Sequence, residues 1–309
     1  MSKLIAVVGP TGTGKSDLAL AIAESIVKAG GKAEIVNADS MQLYRGMNIG
    51  TAKLSVPERR GVAHHMLDVL EVRDEATAAE YQAQARPIIE RLQSAGTVPI
   101  LVGGSMLYVA AVLNTFEFPG HDPDLRASLE ADLLEHGSIE LHRRLAAIDP
   151  DAATRVDRHN PRRVVRALEI VRLTGKPFAA ALPEVPENWQ PVLELGLNSD
   201  RAHLVERLGH RVEKMWHQGL IDEVAGLVPA GIREGKTASR AIGYSQALAQ
   251  LDGAMTQEQA IAETSMLTAR YARRQMSWFR RDTRIDWLDY QDPATTKAAI
   301  AKSLNWLEE

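Results

Sequence analysis

The stretch VGPTGTGKS, residues 8–16, decides which fold this chain is expected to adopt. It follows the apolar run LIAVV at 4–8 and precedes DLALAIAESIV, whose apolar residues recur at helical intervals. The stretch matches the pattern GxxxxGKS. Between a strand and a helix, this pattern predicts a P-loop, whose backbone N–H groups face a phosphate at the positive end of the helix. The residues predicted to bind phosphate are Gly9, Pro10, Thr11, Gly12, Thr13, Gly14, Lys15 and Ser16.

Lys15 and Ser16 give this loop its chemistry. Lys15 adds a full positive charge, and the hydroxyl of Ser16 is placed to ligate Mg²⁺. The motif alone leaves open whose phosphates are bound. Enzymes that transfer or hydrolyse phosphate on such a loop usually have an Asp at the end of a neighbouring strand. Here the run VPILV at 98–102 is followed by GGS at 103–105, which contains no acid.

Apolar runs of strand length alternate with helical segments over the first hundred residues. The strand-like runs lie at 4–8, 33–38 and 98–103, and helical spacing covers 15–29 and 76–95. This alternation predicts an α/β fold, a parallel sheet covered by helices, in which ligands bind beyond the carboxyl ends of the strands.

One carboxylate stands at such a strand end. Asp39 follows the run AEIVNA at 33–38 and therefore lies near the predicted phosphate loop. A helix N-cap, or a Mg²⁺ ligand that acts through water, is the alternative role for it.

The segment 119–188 interrupts the alternation. It reads as consecutive helices without a convincing strand. Breaks are marked by proline or glycine at 123, 137, 150, 161 and 177. The run WQPVLELGLN at 189–198 then returns the chain to the sheet, and IDWLDY and a helix follow near the end. We therefore predict a P-loop core at 1–118 and 189–309 and an all-helical insertion domain at 119–188.

The composition excludes several kinds of chemistry. The 309 residues include no cysteine, which excludes disulfides, a thiolate nucleophile and cysteine-ligated zinc or iron–sulfur centres. The net charge of -4 gives no general attraction to nucleic acid, so such binding needs basic residues gathered locally. No apolar run approaches the roughly 18 residues that span a bilayer. The N-terminus shows no charged leader with a cleavage site, and a cytoplasmic protein without membrane contact is expected.

Seven motifs follow one another along nearly the whole chain. They are GPTGTGKS (9–16), NADSMQLYRGMNIGTAK (37–53), HHMLDV (64–69), LVGGSMLY (101–108), NPRRVVRALEI (160–170), RAIGYSQAL (240–248) and RQMSWFRR (274–281). In this order and combination they resemble the tRNA dimethylallyltransferase family, also called tRNA isopentenyltransferases. The resemblance implies a P-loop core with a helical insertion. It also implies transfer of a dimethylallyl group from dimethylallyl diphosphate to the exocyclic N6 amine of the adenosine 3′ to the tRNA anticodon.

The resemblance implies roles for individual residues. Thr11 would contact the oxygen that bridges the prenyl carbon and the diphosphate, and Arg211 would add a second cation there. Asp39 would accept a hydrogen bond, and then the proton, from the attacking amine. The loop amides, Lys15, and Mg²⁺ on Ser16 would bind the leaving diphosphate.

Contacts to tRNA are implied in the same way. Ser105 stands where threonine is usual and keeps the hydroxyl, whereas Ser245 stands where some relatives carry a basic residue. The positions implied to contact tRNA are Asp39, Ser40, Met41, Gln42, Ser105, Arg126, Arg162, Arg163, Arg166, Arg240, Gly243 and Tyr244.

Arginines gather in two segments, at 155–172 and at 270–284. On helices they could line a phosphate backbone, and the alternative is a solvated face with local ion pairs. The second segment also contains Tyr271, Trp278 and Phe279, which suit either base stacking or a hydrophobic core.

Other functions stay open on the residues alone. An adenylate dimethylallyltransferase that acts on free AMP would share the phosphate loop and Asp39 but would need no arginine-bearing arm. A P-loop small-molecule kinase would need the loop, and an RNA-binding protein with an inactive phosphate site would need neither an intact Lys15 nor Ser16. His64 and His65 are interpreted as packing or pocket residues, because adjacent side chains diverge and no further ligand stands at metal-binding spacing.

Overall fold

The structure, a computed structural model, describes residues 3–115, 118–178 and 187–309. The chain divides into two compact units. The first, here called the core unit, comprises Met1–Leu113 and Gln190–Glu309, and the second, the insertion unit, comprises Asn114–Trp189. The predicted insertion at 119–188 lies within the second of these.

The core unit contains a six-stranded sheet in which all neighbouring strands are parallel. Its order is β3-β2-β4-β1-β5-β6. The central strand β1 is buried along its whole length, as expected of a parallel strand covered on both faces. The strands are β1 Leu4–Val8, β2 Ala33–Asn37, β3 His64–His65, β4 Val98–Gly103, β5 Val192–Asn198 and β6 Asp286–Asp289. The predicted α/β fold with a parallel sheet is confirmed.

Some helices of the core unit pack against this sheet, and others pack mainly on one another around a second apolar cluster. In chain order the helices are α1 Lys15–Lys28, α2 Ala78–Ser94, α3 Met106–Leu113, α4 Pro123–Ile148, α5 Pro150–Arg155, α6 Pro161–Thr174, α7 Arg201–His217, α8 Leu220–Leu227, α9 Tyr244–Leu251, α10 Gln257–Phe279 and α11 Thr295–Glu308. Helices α4, α5 and α6 belong to the insertion unit, which has its own apolar core. No helix in the described ranges combines the length and apolar character that crossing a bilayer requires.

Proline and glycine set the helix limits in the insertion unit, at the predicted positions 123, 137, 150 and 161, whereas α6 is capped at Gly175, two residues before the predicted break at 177. Pro123, Pro150 and Pro161 each begin a helix, where the missing proline N–H has no intrahelical acceptor to lose. Gly137 takes a φ of 78° and kinks α4. Gly175 takes a φ of 64° and caps the end of α6. These limits expose one face of α6 while its apolar face packs into the core of the unit.

The sheet brings three loops to one edge. The carboxyl ends of β1, β2 and β4 are adjacent, since β4 pairs with both β1 and β2. The segments that follow them are the phosphate loop, the turn that starts at Asp39, and GGS at 103–105. The two-residue strand β3 was not predicted, because two histidines carry no alternating pattern and pairing with β2 alone defines the strand.

Candidate active site

The phosphate loop joins β1 to α1 in a conformation that depends on its glycines. Gly9, Gly12 and Gly14 have φ of 134°, 86° and 75°, values that other residues rarely adopt. A Cβ on Gly9 would lie 2.6 Å from the backbone oxygen of Leu197 in β5. The close fit and the positive φ explain why the motif needs glycine at these positions.

Side chains brace the loop from within and from outside. The Thr13 hydroxyl donates to the carbonyl oxygen of Pro10 at 2.9 Å, and Lys15 Nζ donates to the same oxygen at 2.7 Å. Gln275 of α10 accepts from the Thr11 N–H at 2.9 Å and donates to the Gly104 carbonyl at 2.7 Å. Gln275 is 2% exposed, so a buried amide ties the phosphate loop to the loop after β4.

Two cations at the loop have little solvent around them. Burial lowers the pKa of Lys15 to about 8, the charge of Asp39 opposes this shift, and Arg211 adds to it. Burial likewise lowers the pKa of Arg211 on α7. Arg211 Nη2 donates to the Thr11 hydroxyl at 2.9 Å, whereas its buried Nε has no hydrogen-bond partner among the described residues. An anion bound here would offset the cost of burying both charges.

Asp39 is held by a turn rather than by a helix cap. Its Oδ1 accepts from the Met41 N–H at 2.9 Å in an Asx turn. Asn37 supports this turn, since its side chain donates to the carbonyl oxygens of Asp39 at 3.1 Å and Met66 at 2.9 Å. The carboxylate is thereby fixed at the end of β2 while remaining partly exposed.

Two cavities lie on either side of Asp39. The first, of about 210 Å³, is bounded by the phosphate loop and by an apolar wall that includes Ile35, Leu54, Leu67 and Val102. The second, of about 280 Å³, includes Met41, Ile242, Tyr244, Thr268 and Tyr271 in its wall, with Arg240 and Arg274 at the side. Four residues line both cavities, namely Thr11, Asp39, Thr51 and Arg211. A reaction between a ligand in each cavity would take place at these four.

Most of the residues implied to contact tRNA in the core unit line the second cavity, whereas Gln42 lines the first. Those in the wall of the second cavity are Asp39, Ser40, Met41, Arg240 and Tyr244. The Ser105 hydroxyl accepts from the Ser40 N–H at 2.9 Å and lies 3.1 Å from the Ser40 hydroxyl. Gln42 donates from Nε2 to the Thr51 carbonyl at 3.1 Å. Arg240 is exposed, whereas Gly243, with a φ of 92°, and Tyr244 are buried.

In the insertion unit, a buried carboxylate organises two of the predicted arginines. Arg126 Nη1 and Arg166 Nη1 both donate to Glu169 Oε2, at 3.1 Å and 2.8 Å, and His121 Nδ1 lies 2.7 Å from Oε1. Burial alone would raise the pKa of Glu169, but the hydrogen bonds from Arg166 and His121 outweigh it and lower this pKa. Arg162 and Arg163 are exposed at the start of α6.

The arginines near the C-terminus fall into two groups. Arg284 pairs with Asp282 at 2.5 Å and approaches Glu194 at 3.6 Å, so the ion-pair alternative holds for it. The exposed ones along and just after α10 are Arg270, Arg273, Arg274, Arg280 and Arg281.

The three aromatic residues among them also differ. Phe279 is buried and belongs to the core, Trp278 is 42% exposed, and Tyr271 lines the second cavity. Stacking on bases is therefore open to Trp278 and Tyr271 only.

The two adjacent histidines diverge. His65 Nε2 lies 2.6 Å from Glu34 Oε2, away from the site. His64 lines the first cavity, its Nδ1 lies 2.8 Å from the Val62 carbonyl, and burial lowers its pKa. Within the described ranges, no group of three histidine or acidic residues is arranged to hold a metal ion.

Sequence reasoning missed Arg207. It lines the first cavity one helical turn before Arg211, and its guanidinium lies 4.7 Å from the ring centre of Tyr290. Arg207 Nη1 also donates to the Tyr290 hydroxyl. The spacing of Arg207 and Arg211 in ERLGHR was the available signal, since residues four apart share a helix face.

Comparison with known proteins gives concordant matches. A family model described as IPP transferase matches residues 42–282. The chain is 54% identical to a tRNA dimethylallyltransferase of Thermobifida fusca, over 97% of this chain and 94% of that protein. It is 55% identical to a tRNA dimethylallyltransferase of Streptomyces griseus, over 93% of this chain and 90% of that protein.

Solved structures agree over the whole chain. A full-length tRNA isopentenylpyrophosphate transferase from Bacillus halodurans superposes with a TM-score of 0.70 at 37% identity, covering 100% of this chain and 97% of that one. A eukaryotic dimethylallyltransferase acting on tRNA superposes with a TM-score of 0.84 at 27% identity, covering 100% of this chain and 80% of that one.

Proposed function

The chain belongs to the IPP transferase family, and we propose that it transfers the dimethylallyl group of dimethylallyl diphosphate to tRNA. The acceptor is the exocyclic N6 amine of the adenosine 3′ to the anticodon, and diphosphate is released. The observation that carries this proposal is the pair of cavities that share Thr11, Asp39, Thr51 and Arg211. Because the proposed acceptor is tRNA, we also propose a cytoplasmic location, which cell fractionation would test.

The first cavity would hold the donor with its diphosphate on the P-loop. As the bond between the prenyl C1 and the bridging oxygen breaks, negative charge grows on the leaving diphosphate. Lys15 and Arg211 line this cavity and, together with the loop N–H groups, would stabilise that charge. Thr11, fixed by Arg211 and Gln275, would contact the bridging oxygen.

A Mg²⁺ ion fits this end of the cavity. Ser16 and Asp17, which carry a hydroxyl and a carboxylate, line the cavity beside Lys15. Such oxygen ligands suit Mg²⁺, which commonly takes one or two protein ligands together with substrate phosphates. When bound, the ion would neutralise part of the charge of the diphosphate.

The second cavity would take the acceptor adenosine after it leaves the stack of the anticodon loop. Extrusion from a single-stranded loop costs less than from a duplex. The amine of adenine is too weak an acid to lose a proton in advance. Asp39 would therefore accept that proton as the new C–N bond forms, with Tyr271 in the wall around the base.

The exposed arginines supply the surface for the tRNA backbone. In the core unit these include Arg240, Arg274 and Arg281, and in the insertion unit Arg162 and Arg163. Cations of this kind bind phosphates without reading sequence and make affinity dependent on salt. Free AMP has no extended phosphate backbone to contact these two groups of arginines, so the arginines favour tRNA over AMP as the acceptor.

The test is a parallel incubation of the purified protein with Mg²⁺ and prenyl-labelled dimethylallyl diphosphate. The acceptors are unmodified tRNA, the same tRNA with guanosine 3′ to the anticodon, and AMP. We expect label only in the unmodified tRNA. Label in AMP alone would establish the adenylate reaction instead. In a separate incubation with γ-labelled ATP, phosphate transfer faster than prenyl transfer would establish a kinase.

A further inference from the structure

Glu223, on α8, makes three hydrogen bonds to segments that form the candidate site. Its Oε2 accepts from two consecutive backbone N–H groups, those of Asn48 at 3.1 Å and Ile49 at 2.8 Å. Its Oε1 accepts from the Tyr244 hydroxyl at 2.6 Å. One carboxylate thereby joins the 48–51 turn to the start of α9, although the two lie far apart in sequence.

Tyr244 contacts the 48–51 turn as well as Glu223. Its side chain is 0% exposed. Burial raises the pKa of Tyr244, and the charge of Glu223 adds to the effect, so the hydroxyl keeps the proton that it donates. The ring lies directly over Gly50, where a Cβ would come within 2.4 Å of Cε2 of Tyr244. The 48–51 turn is therefore held by charge on one side and by packing on the other.

The 48–51 turn includes one of the four residues that line both cavities. Thr51 lines both cavities, and its hydroxyl donates to the Met47 carbonyl at 2.7 Å. The Thr51 carbonyl in turn accepts from Gln42 Nε2 at 3.1 Å. Gln42 follows Asp39 in the Asx-turn segment, so a shift of the turn would be transmitted to the carboxylate that faces both ligands.

We propose that Glu223 is a positioning residue for prenyl transfer, which sets the 48–51 turn, and with it Thr51 and Gln42, at the junction of the two cavities. This inference rests on the proposed function. Glu223 lines neither cavity among the residues that the structure describes, but it accepts a hydrogen bond from Tyr244 in the wall of the second cavity. Its effect should therefore appear in the transfer step and not in the binding of diphosphate to the P-loop.

The test measures single-turnover prenyl transfer at saturating dimethylallyl diphosphate, Mg²⁺ and tRNA, with pyrophosphate affinity and thermal midpoint measured alongside. Glu223→Gln removes the charge and leaves one acceptor oxygen for the two backbone N–H groups, with an amide NH2 in place of the oxygen that accepts from Tyr244. We expect it to slow transfer about tenfold, within the range that small misplacements of reacting groups cause. Pyrophosphate affinity should stay within twofold. Asp222→Asn, at the exposed neighbour on the same helix, is the matched control and should keep the wild-type rate.

A double-mutant cycle separates positioning from general stability. Tyr244→Phe removes the hydroxyl that Glu223 accepts from but leaves the two backbone N–H bonds, so we expect the double variant to be no slower than Glu223→Gln alone. Losses that multiply, or a wild-type rate in Glu223→Gln, would overturn the proposal. The proposal would also be overturned if the transfer rate of Glu223→Gln recovered on cooling in proportion to the fraction of folded protein. A wild-type protein that transfers no label to tRNA would instead overturn the proposed function itself.

Discussion

Gln275 is the residue whose removal gives the most direct test of how the phosphate loop is held. Gln275→Leu keeps most of the side-chain volume but leaves the Thr11 N–H and the Gly104 carbonyl without their partner in a buried place. Leaving the buried Gly104 carbonyl unpaired costs about 1–3 kcal/mol and the partly buried Thr11 N–H adds less, so the variant should lose about 1–4 kcal/mol of unfolding free energy. Urea unfolding measures this loss.

The same substitution should weaken donor binding. Without Gln275 the segment around Thr11 is less ordered, and binding of the diphosphate must then order it. Each 1.4 kcal/mol of binding free energy used for this ordering raises KM about tenfold. KM for dimethylallyl diphosphate is the second assay, and Ser277→Ala, an exposed position on the same helix, is the control. Unfolding free energy within about 0.5 kcal/mol of wild type, together with an unchanged KM, would refute the reasoning.

Gln275→Glu keeps the shape of the side chain and changes its charge and its hydrogen-bonding groups. A carboxylate still accepts from the Thr11 N–H but cannot donate to the Gly104 carbonyl, and it adds negative charge beside the bound phosphates. KM for the donor should therefore rise further than in Gln275→Leu. An equal or lower KM would show that the carboxamide serves only to fill space.

Four other outcomes are expected. Asp39→Ala should slow single-turnover transfer about 10²–10⁴-fold, as for loss of a general base, and should change tRNA affinity, measured by filter binding, far less. Arg207→Ala should raise KM for dimethylallyl diphosphate several-fold while kcat and the thermal midpoint stay the same, because the charge lies at the cavity wall. The kcat/KM for the donor should fall as pH rises through about 8, where free Lys15 loses its proton. Arg162→Ala should weaken tRNA binding and reduce the slope of affinity against salt by about one.

Each of these has a contrary result. A near-normal transfer rate in Asp39→Ala would remove the general-base role, and a lower kcat at constant KM in Arg207→Ala would place that residue in the chemical step. An undiminished salt slope would separate Arg162 from the RNA phosphates. For Lys15, the unfolded chain binds its proton more tightly than the folded one, so its contribution to stability should rise between about pH 8 and 10.5. A fall in that interval would contradict the lowered pKa.

Local signals were sufficient for much of the fold. The P-loop fixed the first strand and helix, and Pro123, Pro150, Pro161 and Gly137 marked the insertion helices, because backbone geometry at these residues is decided by their own chemistry. Strand β3 escaped prediction because it exists through pairing with β2 alone.

The candidate site was less accessible to the same reasoning. Gln275 and Arg211 reach Thr11 from 264 and 200 residues away, a separation at which no periodicity can be detected. Arg211 was named through the family resemblance and Gln275 was not singled out. Glu223 gave no signal either, since an acid in the first turn of a helix is common for reasons of dipole alone. For Arg284, the ion-pair alternative that the sequence left open is the one that the structure shows, through Asp282.

The division of the core unit has a consequence for how the protein is made. Residues 1–113 leave the ribosome before 190–309, so β1 must wait, with one edge unpaired, until the whole insertion has been synthesised and β5 can join it. An unpaired strand edge of this kind invites association with other chains. During that interval the P-loop also lacks Arg211 and Gln275. A nascent chain therefore contains the phosphate motif before it contains all the residues that would bind a diphosphate. Ribosome stalling after residue 113 and before residue 190 should yield an aggregation-prone, inactive intermediate.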